Sequence, residues 1–195
     1  MKKAISTLLV LLAMVLIFLF SAQPGDSSDE TSLSVGGLIG KIFVSDFSVW
    51  TPEEQFEFAE RINHPVRKLA HATEYAALGV LMTVMFGAYG IRGWRRFGIS
   101  WACTVLYAGT DEFHQLFVPG RSGQLGDVVI DAVGALAGIL LCLLAGAVWL
   151  RFKNRRAARP NHKKTAPGAL PRVRFLIFGD QISFGVCSLF KMWRA

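Results

Sequence analysis

Polar and ionisable side chains recur at helical spacing in three stretches of the chain that are otherwise rich in apolar residues. Steps of three and four residues place the members of each stretch on one face of a helix. The three faces carry Arg67, His71, Glu74 and Tyr75; then Tyr107, Asp111, His114 and Gln115; then Asp127 and Asp131. A charge inside a membrane helix is costly and is usually paired or functional. We therefore predict that the three faces meet in one polar pocket.

Three kinds of chemistry suit such a pocket. Two guanidinium groups, Arg67 and Arg121, would hold the anionic part of a polar headgroup or another ligand of the cell envelope without any reaction. Alternatively, His71, Glu74, Asp111 and His114 could act as general acids and bases on a lipid-linked or cell-wall substrate. The same four side chains could instead hold a divalent metal such as zinc or manganese. Their spacing matches no diagnostic metal motif, so no metal site is assigned, no cofactor is named and the catalytic residues stay unknown.

A purely structural role is the remaining alternative. Buried polar groups must be paired, so cations and carboxylates of the same set could simply hold a bundle together. The predicted pocket residues are Arg67, Lys68, His71, Glu74, Tyr75, Asp111, Glu112, His114, Gln115, Arg121, Asp127 and Asp131. A bundle built from leucine and glycine alone would not need so many costly groups at one depth, which favours a site.

Composition indicates where the protein resides. Of its 195 residues 52% are hydrophobic and only 18% are charged, and the mean hydropathy is +0.41. The net charge of +7 is concentrated in short segments beside apolar runs, a pattern typical of membrane orientation signals rather than of a nucleic-acid surface. Membrane lipids are therefore expected partners and nucleic acid is not. The cysteines Cys103, Cys142 and Cys187 form no CxxC pair and are interpreted as small buried hydrophobes.

The apolar runs predict an all-α fold, an integral membrane bundle of four transmembrane helices. The predicted spans cover about 4–20, 69–90, 97–118 and 126–150, within one membrane domain of residues 1–159. The first run follows Lys2 and Lys3 and could be a cleaved signal peptide. Bulky Phe20 before a cleavage at Ala22 argues against cleavage, so we favour an uncleaved helix.

Short extracytoplasmic elements should connect the first two spans. The segment 23–28 contains strong helix breakers, and 33–50 is interpreted as an amphipathic segment lying at the membrane surface. Thr51, Pro52 and Glu54 predict a helix start with a capping box. We expect this short helix to run to about residue 62 and to be stopped by the segment 63–65, which ends in proline.

Two further patterns concern helix packing. The pair Gly134 and Gly138 lies in line with Asp127 and Asp131 and should let a neighbouring backbone approach closely. Phe113 and Phe117 are expected to point away from the polar face, toward lipid or core.

The distribution of lysine and arginine predicts the orientation. The amino terminus, the 91–96 loop and the segment after residue 150 are basic, and so are expected on the cytoplasmic side. Both termini are then cytoplasmic, while 21–68 and 119–125 face outward. The protein is thus expected to be a multi-pass protein of the cell membrane. Residues 160–195 form a basic cytoplasmic tail, in which 173–193 is interpreted as an interfacial helix or, alternatively, a fifth span.

The motifs now described resemble those of the VanZ-like family of small bacterial membrane proteins. The resemblance rests on Phe20-Ser21-Ala22-Gln23-Pro24-Gly25, on Arg67-Lys68-Leu69-Ala70-His71 with Glu74-Tyr75, and on Asp111-Glu112-Phe113-His114-Gln115 with Pro119-Gly120-Arg121 and Asp127. It covers the chain from the first helix to about residue 150 and leaves out the tail. The family implies a four-helix membrane fold, and its namesake is associated with low-level resistance to the glycopeptide teicoplanin. The resemblance does not imply a particular reaction, ligand or oligomeric state.

Overall fold

The computed structural model describes residues 1–157, and this part of the chain consists of helices joined by short turns and loops and contains no strand. The five helices are α1 (Lys2–Ser21), α2 (Gly25–Phe43), α3 (Pro52–Ala88), α4 (Gly93–Gln115) and α5 (Leu125–Ala157), with a 3₁₀ turn at Phe47–Val49. The all-α prediction is confirmed for these residues. The tail at 160–195, its predicted interfacial helix at 173–193 and Cys187 lie outside the described residues.

Three helices in the described residues are long and apolar enough to cross a membrane. They are α1 and α3 in full and α5 from Leu125 to Arg156. They contain the predicted spans at 4–20 and 126–150, and the predicted span at 69–90 except for its last two residues, because α3 ends at Ala88. The predicted span at 97–118 corresponds to α4, which begins at Gly93 and ends at Gln115.

The predicted stop at 63–65 is wrong, because α3 continues through Pro65 without interruption. The predicted capping box is confirmed: the Thr51 hydroxyl accepts from the Glu54 amide at 3.3 Å, and Glu54 Oε2 accepts from the Thr51 amide at 2.8 Å. A proline removes one helical hydrogen bond, but α2 contacts α3 on both sides of Pro65, with Gly36 against Ala59 and Asp29 against Arg67. Tertiary packing thus overrides the local signal.

The helix α2 was not predicted with its observed bounds. Helix breakers at Pro24 and Gly25 only turn the chain, and α2 starts directly after Pro24. The buried face of α2 consists of small residues, Ser32, Gly36 and Gly40, rather than of large apolar ones. Because hydrophobic periodicity is the usual helix signal, a helix that packs through small residues escapes it. The interpretation of 33–50 as one surface segment is therefore corrected to a helix that ends at Phe43, followed by the 3₁₀ turn.

The core lies where α1, α3, α4 and α5 meet. Its buried cluster includes Val10 and Ile17 of α1, Tyr75 and Leu78 of α3, and Ala108 of α4. By contrast Phe113 and Phe117 are 63% and 72% exposed, which confirms that they point away from the bundle.

The glycine pair of α5 packs directly on the backbone of α3. A methyl group at Gly134 would collide with the carbonyl oxygen of Ala72, and one at Gly138 with that of Ala76. The predicted close approach is confirmed, and α3 is the neighbour. Residues along the contact increase together on both helices, so α3 and α5 run in the same direction.

The two ends of the bundle differ in character. At one end α1 begins beside the end of α3: Thr7 and Tyr89 share a hydrogen bond of 3.1 Å, and Lys3 Nζ lies 5.3 Å from the centre of the Tyr89 ring. At the other end, which we call the polar end, Ser21 of α1 meets Asp111 of α4. Lys3 thus lies at the first end, whereas the predicted pocket residue Asp111 lies at the polar end.

Candidate functional site

The polar end is closed by the loop between α4 and α5, residues 116–124. The Gly25 amide donates to the Pro119 carbonyl at 3.0 Å, which ties the start of α2 to this loop. A side chain at Gly25 would collide with the Gly120 carbonyl oxygen, and Gly120 has a φ of 73°, where side chains are rarely tolerated. Two glycines are therefore required for the loop to lie against α2.

Arg121 joins this loop to the end of α1. Its Nε donates to the Gln23 carbonyl at 3.0 Å and its Nη2 to the Phe20 carbonyl at 3.1 Å. A cation at a helix C-terminus also interacts favourably with the helix dipole. Burial lowers the pKa of Arg121 and neighbouring Arg67 lowers it further, while Asp111 and Glu112 raise it. Within residues 1–157 its third nitrogen, Nη1, is buried and has no hydrogen-bond partner, so an anion could bind it.

A buried hydrogen-bond network connects three helices below the loop. Asp111 Oδ2 accepts from Ser21 Oγ of α1 at 2.6 Å and from the Tyr75 hydroxyl of α3 at 3.0 Å. Gln115 of α4 donates to Ser21 Oγ at 3.1 Å. All four side chains are buried, and Tyr75 is completely inaccessible. Because hydrogen bonds to a carboxylate are stronger than neutral ones, this network holds α1, α3 and α4 together.

Two ion pairs lie at the same end. Lys68 Nζ is 2.7 Å from Asp127 Oδ1, which links α3 to α5. Arg67 Nη1 is 2.7 Å from Asp29 Oδ1 of α2, and Asn63 Nδ2 also donates to Asp29 at 3.4 Å. Arg67, Lys68 and Asp127 of the predicted pocket residues are therefore paired, as the structural alternative requires. The partner of Arg67, Asp29, is not among the predicted pocket residues.

Two cavities remain between these contacts. The first, about 130 Å³, lies between α3, α5 and the loop, and we call it the α5 cavity. The second, about 240 Å³, lies between α3, α2 and the end of α1, and we call it the α2 cavity. Arg67 and His71 line both cavities and so form the wall between them.

The predicted pocket residues divide between these cavities and the packed interior. Lys68, Gln115, Asp127 and Asp131 line the α5 cavity, and Glu74 and Arg121 line the α2 cavity. Four predicted residues line neither cavity: Tyr75, Asp111, Glu112 and His114. The structure thus brings the predicted set to one end of the bundle, but as two cavities rather than one pocket.

His114 and Glu112 have other surroundings. The His114 ring packs on Phe18 of α1, with ring centres 4.5 Å apart. Glu112 Oε2 accepts from the Gln124 amide at 2.9 Å, near the start of α5. Both contacts tie α4 to a neighbouring element.

Asp131 is the most isolated polar group of the polar end. It is 1% exposed, and in the described part of the chain neither of its carboxylate oxygens has a hydrogen-bond partner. An unpaired buried carboxylate is costly. It lines the α5 cavity, so a ligand there would contact it.

The geometry bears on the catalytic and metal alternatives. No group of three or more histidine, cysteine or acidic side chains in residues 1–157 is placed to hold a metal ion. Of the four candidates, His71 and Glu74 line the α2 cavity, whereas Asp111 and His114 line neither cavity. Acid–base catalysis stays a prediction.

Sequence reasoning missed two residues of the polar end, Ser21 and Asp29. Ser21 follows the first apolar run, where the sequence offers only a possible cleavage region and a motif of the family resemblance. Asp29 lies in the polar half of α2, and its partnership with Arg67 depends on the helix that was not predicted. Recognising α2 would have placed Asp29 one turn from the start of that helix.

Comparison with known proteins gives one match. The sequence model of the family described as VanZ/LLP1 matches residues 6–146. No curated protein and no solved structure matches the chain.

Proposed function

The chain belongs to the VanZ/LLP1 family, and on this premise we propose that it is a multi-pass membrane protein that binds a polar ligand of the cell envelope at its polar end. Through this ligand it would alter susceptibility to glycopeptides such as teicoplanin, the property associated with the namesake of the family. The proposal concerns binding and does not include a reaction.

The proposed bundle has four spans, with α4 as the third in chain order, between α3 and α5. At 23 residues α4 is about 35 Å long, enough to cross a hydrocarbon core. Its low hydropathy comes from polar residues that are buried against other helices, such as Ser100, Thr104 and Asp111, while Ile99, Leu106 and Phe113 are exposed. An apolar outer face over a polar inner face is what lipid contact requires.

The distribution of charge supports an outward-facing polar end. Lys3 lies beside Tyr89 at the opposite end, where residues 92–96, around the start of α4, and the end of α5 add further basic residues. Short basic segments stay in the cytoplasm. In this orientation α2 and the first half of α3 lie outside the membrane, because α3 at 37 residues is about 55 Å long and exceeds the hydrocarbon thickness.

The observation that carries the binding proposal is the pair of cavities that share Arg67 and His71. A bundle held only by paired charges would be expected to fill this space. Instead, Arg121 presents a buried nitrogen without a partner among the described residues, and Asp131 presents two such oxygens. The structural alternative accounts for the two ion pairs but not for these atoms.

Glycopeptide susceptibility provides the test of the cellular role. Cells would express the parent, Glu74→Gln, which changes the α2 cavity, or Glu60→Gln, which changes an exposed residue of the same helix. We expect the parent and Glu60→Gln to raise the inhibitory concentration of teicoplanin, and Glu74→Gln to lose this effect at equal membrane yield. An unchanged inhibitory concentration with the parent would refute the link to glycopeptides. Loss of yield in Glu74→Gln alone would favour the structural alternative.

A further inference from the structure

Charge pairing leaves one buried acid of the α5 cavity without a partner. The two cations that line this cavity are already engaged, since Lys68 pairs with Asp127 and Arg67 with Asp29, each at 2.7 Å. Asp131 is 1% exposed, and neither of its carboxylate oxygens has a hydrogen-bond partner within residues 1–157. Its near neighbours include other carboxylates, those of Glu112, Asp111 and Asp127. The unmet requirement of this cavity is therefore a group that donates hydrogen bonds and carries positive charge.

A primary ammonium meets this requirement better than other common groups. It offers three donors and a full charge, and charge-assisted hydrogen bonds are the strong ones. A hydroxyl would donate without neutralising the carboxylate, and a quaternary ammonium would neutralise it without donating. The space is adequate, because about 130 Å³ is roughly ten times the volume that one water molecule needs.

The α2 cavity has the opposite need, an anion, because Arg121 in its lining has a nitrogen that no described residue pairs, whereas Arg67 is already paired with Asp29. Arg67 and His71 line both cavities, and Arg121 lines the α2 cavity with its Nη1 buried and lacking a partner in the described residues. Guanidinium groups match phosphate geometry well. Because Arg67 and His71 line both cavities, a ligand whose phosphate lies beside them needs only a short linker to place a second group in the α5 cavity.

Resting on the proposed function, we propose that the ligand is an aminophospholipid headgroup of the phosphoethanolamine type. Its ammonium binds Asp131 in the α5 cavity, and its phosphate lies at Arg67, His71 and Arg121. The cavities lie at the end of the bundle where the proposed spans reach the outer membrane surface, the depth at which lipid headgroups are found. The membrane lipid itself is the source of the headgroup.

Lipid selectivity of the purified full-length chain tests this proposal. Native mass spectrometry would measure binding of phosphatidylethanolamine, phosphatidylglycerol and phosphatidylcholine to the parent, to Asp131→Asn and to Asp26→Asn, which changes an exposed acid of α2. We expect the parent and Asp26→Asn to bind phosphatidylethanolamine about tenfold more tightly than the other two lipids. Asp131→Asn should keep phosphate binding but lose this preference. Soluble phosphoethanolamine should compete only weakly, because it lacks the lipid anchor.

Each other outcome counts against the proposal in a defined way. Equal binding of the three lipids by the parent, or an unchanged preference in Asp131→Asn, would overturn it while leaving ligand binding intact. The second of these results would mark Asp131 as a neutral acid that needs no cation. Strong competition by soluble phosphoethanolamine would refute a membrane-lipid source. A parent that binds none of the lipids at the polar end would overturn this proposal, and a parent that also retains no other envelope ligand would overturn the proposed function too. If Asp131→Asn does not fold, the affinities of the parent alone test the proposal: a preference for phosphatidylethanolamine supports it, and equal binding of the three lipids overturns it.

Discussion

Ser21 Oγ donates to Asp111 Oδ2 at 2.6 Å, although the two residues are 90 positions apart in the chain. This contact joins the end of α1 to the end of α4, and the Tyr75 hydroxyl of α3 donates to the same carboxylate oxygen. Three helices thus depend on one buried carboxylate for their arrangement at the polar end. Asp111 holds the polar end together, whereas the cavities beside it are the proposed binding surface.

Replacing Ser21 with alanine should weaken this network. The substitution removes one donor to a buried carboxylate and the acceptor of Gln115, and we expect a loss of about 1–3 kcal/mol in the free energy of unfolding. Thermal unfolding in detergent would show this as a lowered midpoint. Ser45→Ala, at an exposed position, is the control and should leave the midpoint unchanged. Equal midpoints for both variants would show that the network does not stabilise the bundle.

The glycine contact between α3 and α5 predicts a second effect. Gly134→Ala should lower the free energy of unfolding by about 1–3 kcal/mol, because the new methyl group would collide with the Ala72 carbonyl oxygen and push the two helices apart. Gly146→Ala lies on the same helix with nothing within 4 Å of the added carbon, and should be neutral or slightly stabilising. Chemical denaturation of both variants would measure the difference. A Gly134→Ala protein as stable as Gly146→Ala would be incompatible with the described packing.

How far the sequence predicts this structure depends on the kind of signal. The capping box at Thr51 and the glycine pair at Gly134 and Gly138 are local patterns, and both were predictable. Pro65 is also a local pattern, but its expected effect is overridden by the packing of α2 against α3. Only a tertiary contact decides that case, and the sequence does not display it.

The same distinction applies to the site. Helical spacing correctly brings Arg67, His71, Asp127 and Asp131 to one cavity. It does not distinguish cavity residues from packed ones, since His114 has the same spacing and yet its ring packs against Phe18. Whether a polar side chain lines space or fills it depends on the neighbouring helix.

The effects of substituting Lys68 and Asp127 on the free energy of unfolding should not be additive, because the two side chains form an ion pair. Both side chains are less than a third exposed, at 29% and 28%, and a double-mutant cycle of Lys68→Met and Asp127→Leu should give a coupling of about 0.5–1 kcal/mol. Thermal or chemical unfolding of the four proteins would provide it. The coupling should decrease with added salt if the pair is an ion pair at the membrane surface. Additive effects of the two substitutions would contradict the pair.

Arg121→Lys keeps the positive charge but removes the guanidinium group, which donates to two carbonyl oxygens at once. We expect a loss of about 1 kcal/mol, since lysine cannot bond the Phe20 and Gln23 carbonyls together in the same geometry. Ligand binding should weaken about tenfold, because the free nitrogen disappears. Arg95→Lys, on an exposed part of α4, is the matched control. Binding and stability equal to those of the control would show that Arg121 acts as a charge alone.

Filling the α2 cavity without changing any charge tests directly whether the polar end binds a ligand. Ala70→Leu adds bulk to its wall, whereas Ala77→Leu adds the same bulk two turns further along the same helix, outside the cavity. Native mass spectrometry of both purified proteins and the parent would measure the envelope ligand that each retains. We expect the parent and Ala77→Leu to retain the ligand, and Ala70→Leu to lose it while remaining folded and equally stable. Equal retention by Ala70→Leu, or no ligand in the parent, would contradict a binding site at the polar end.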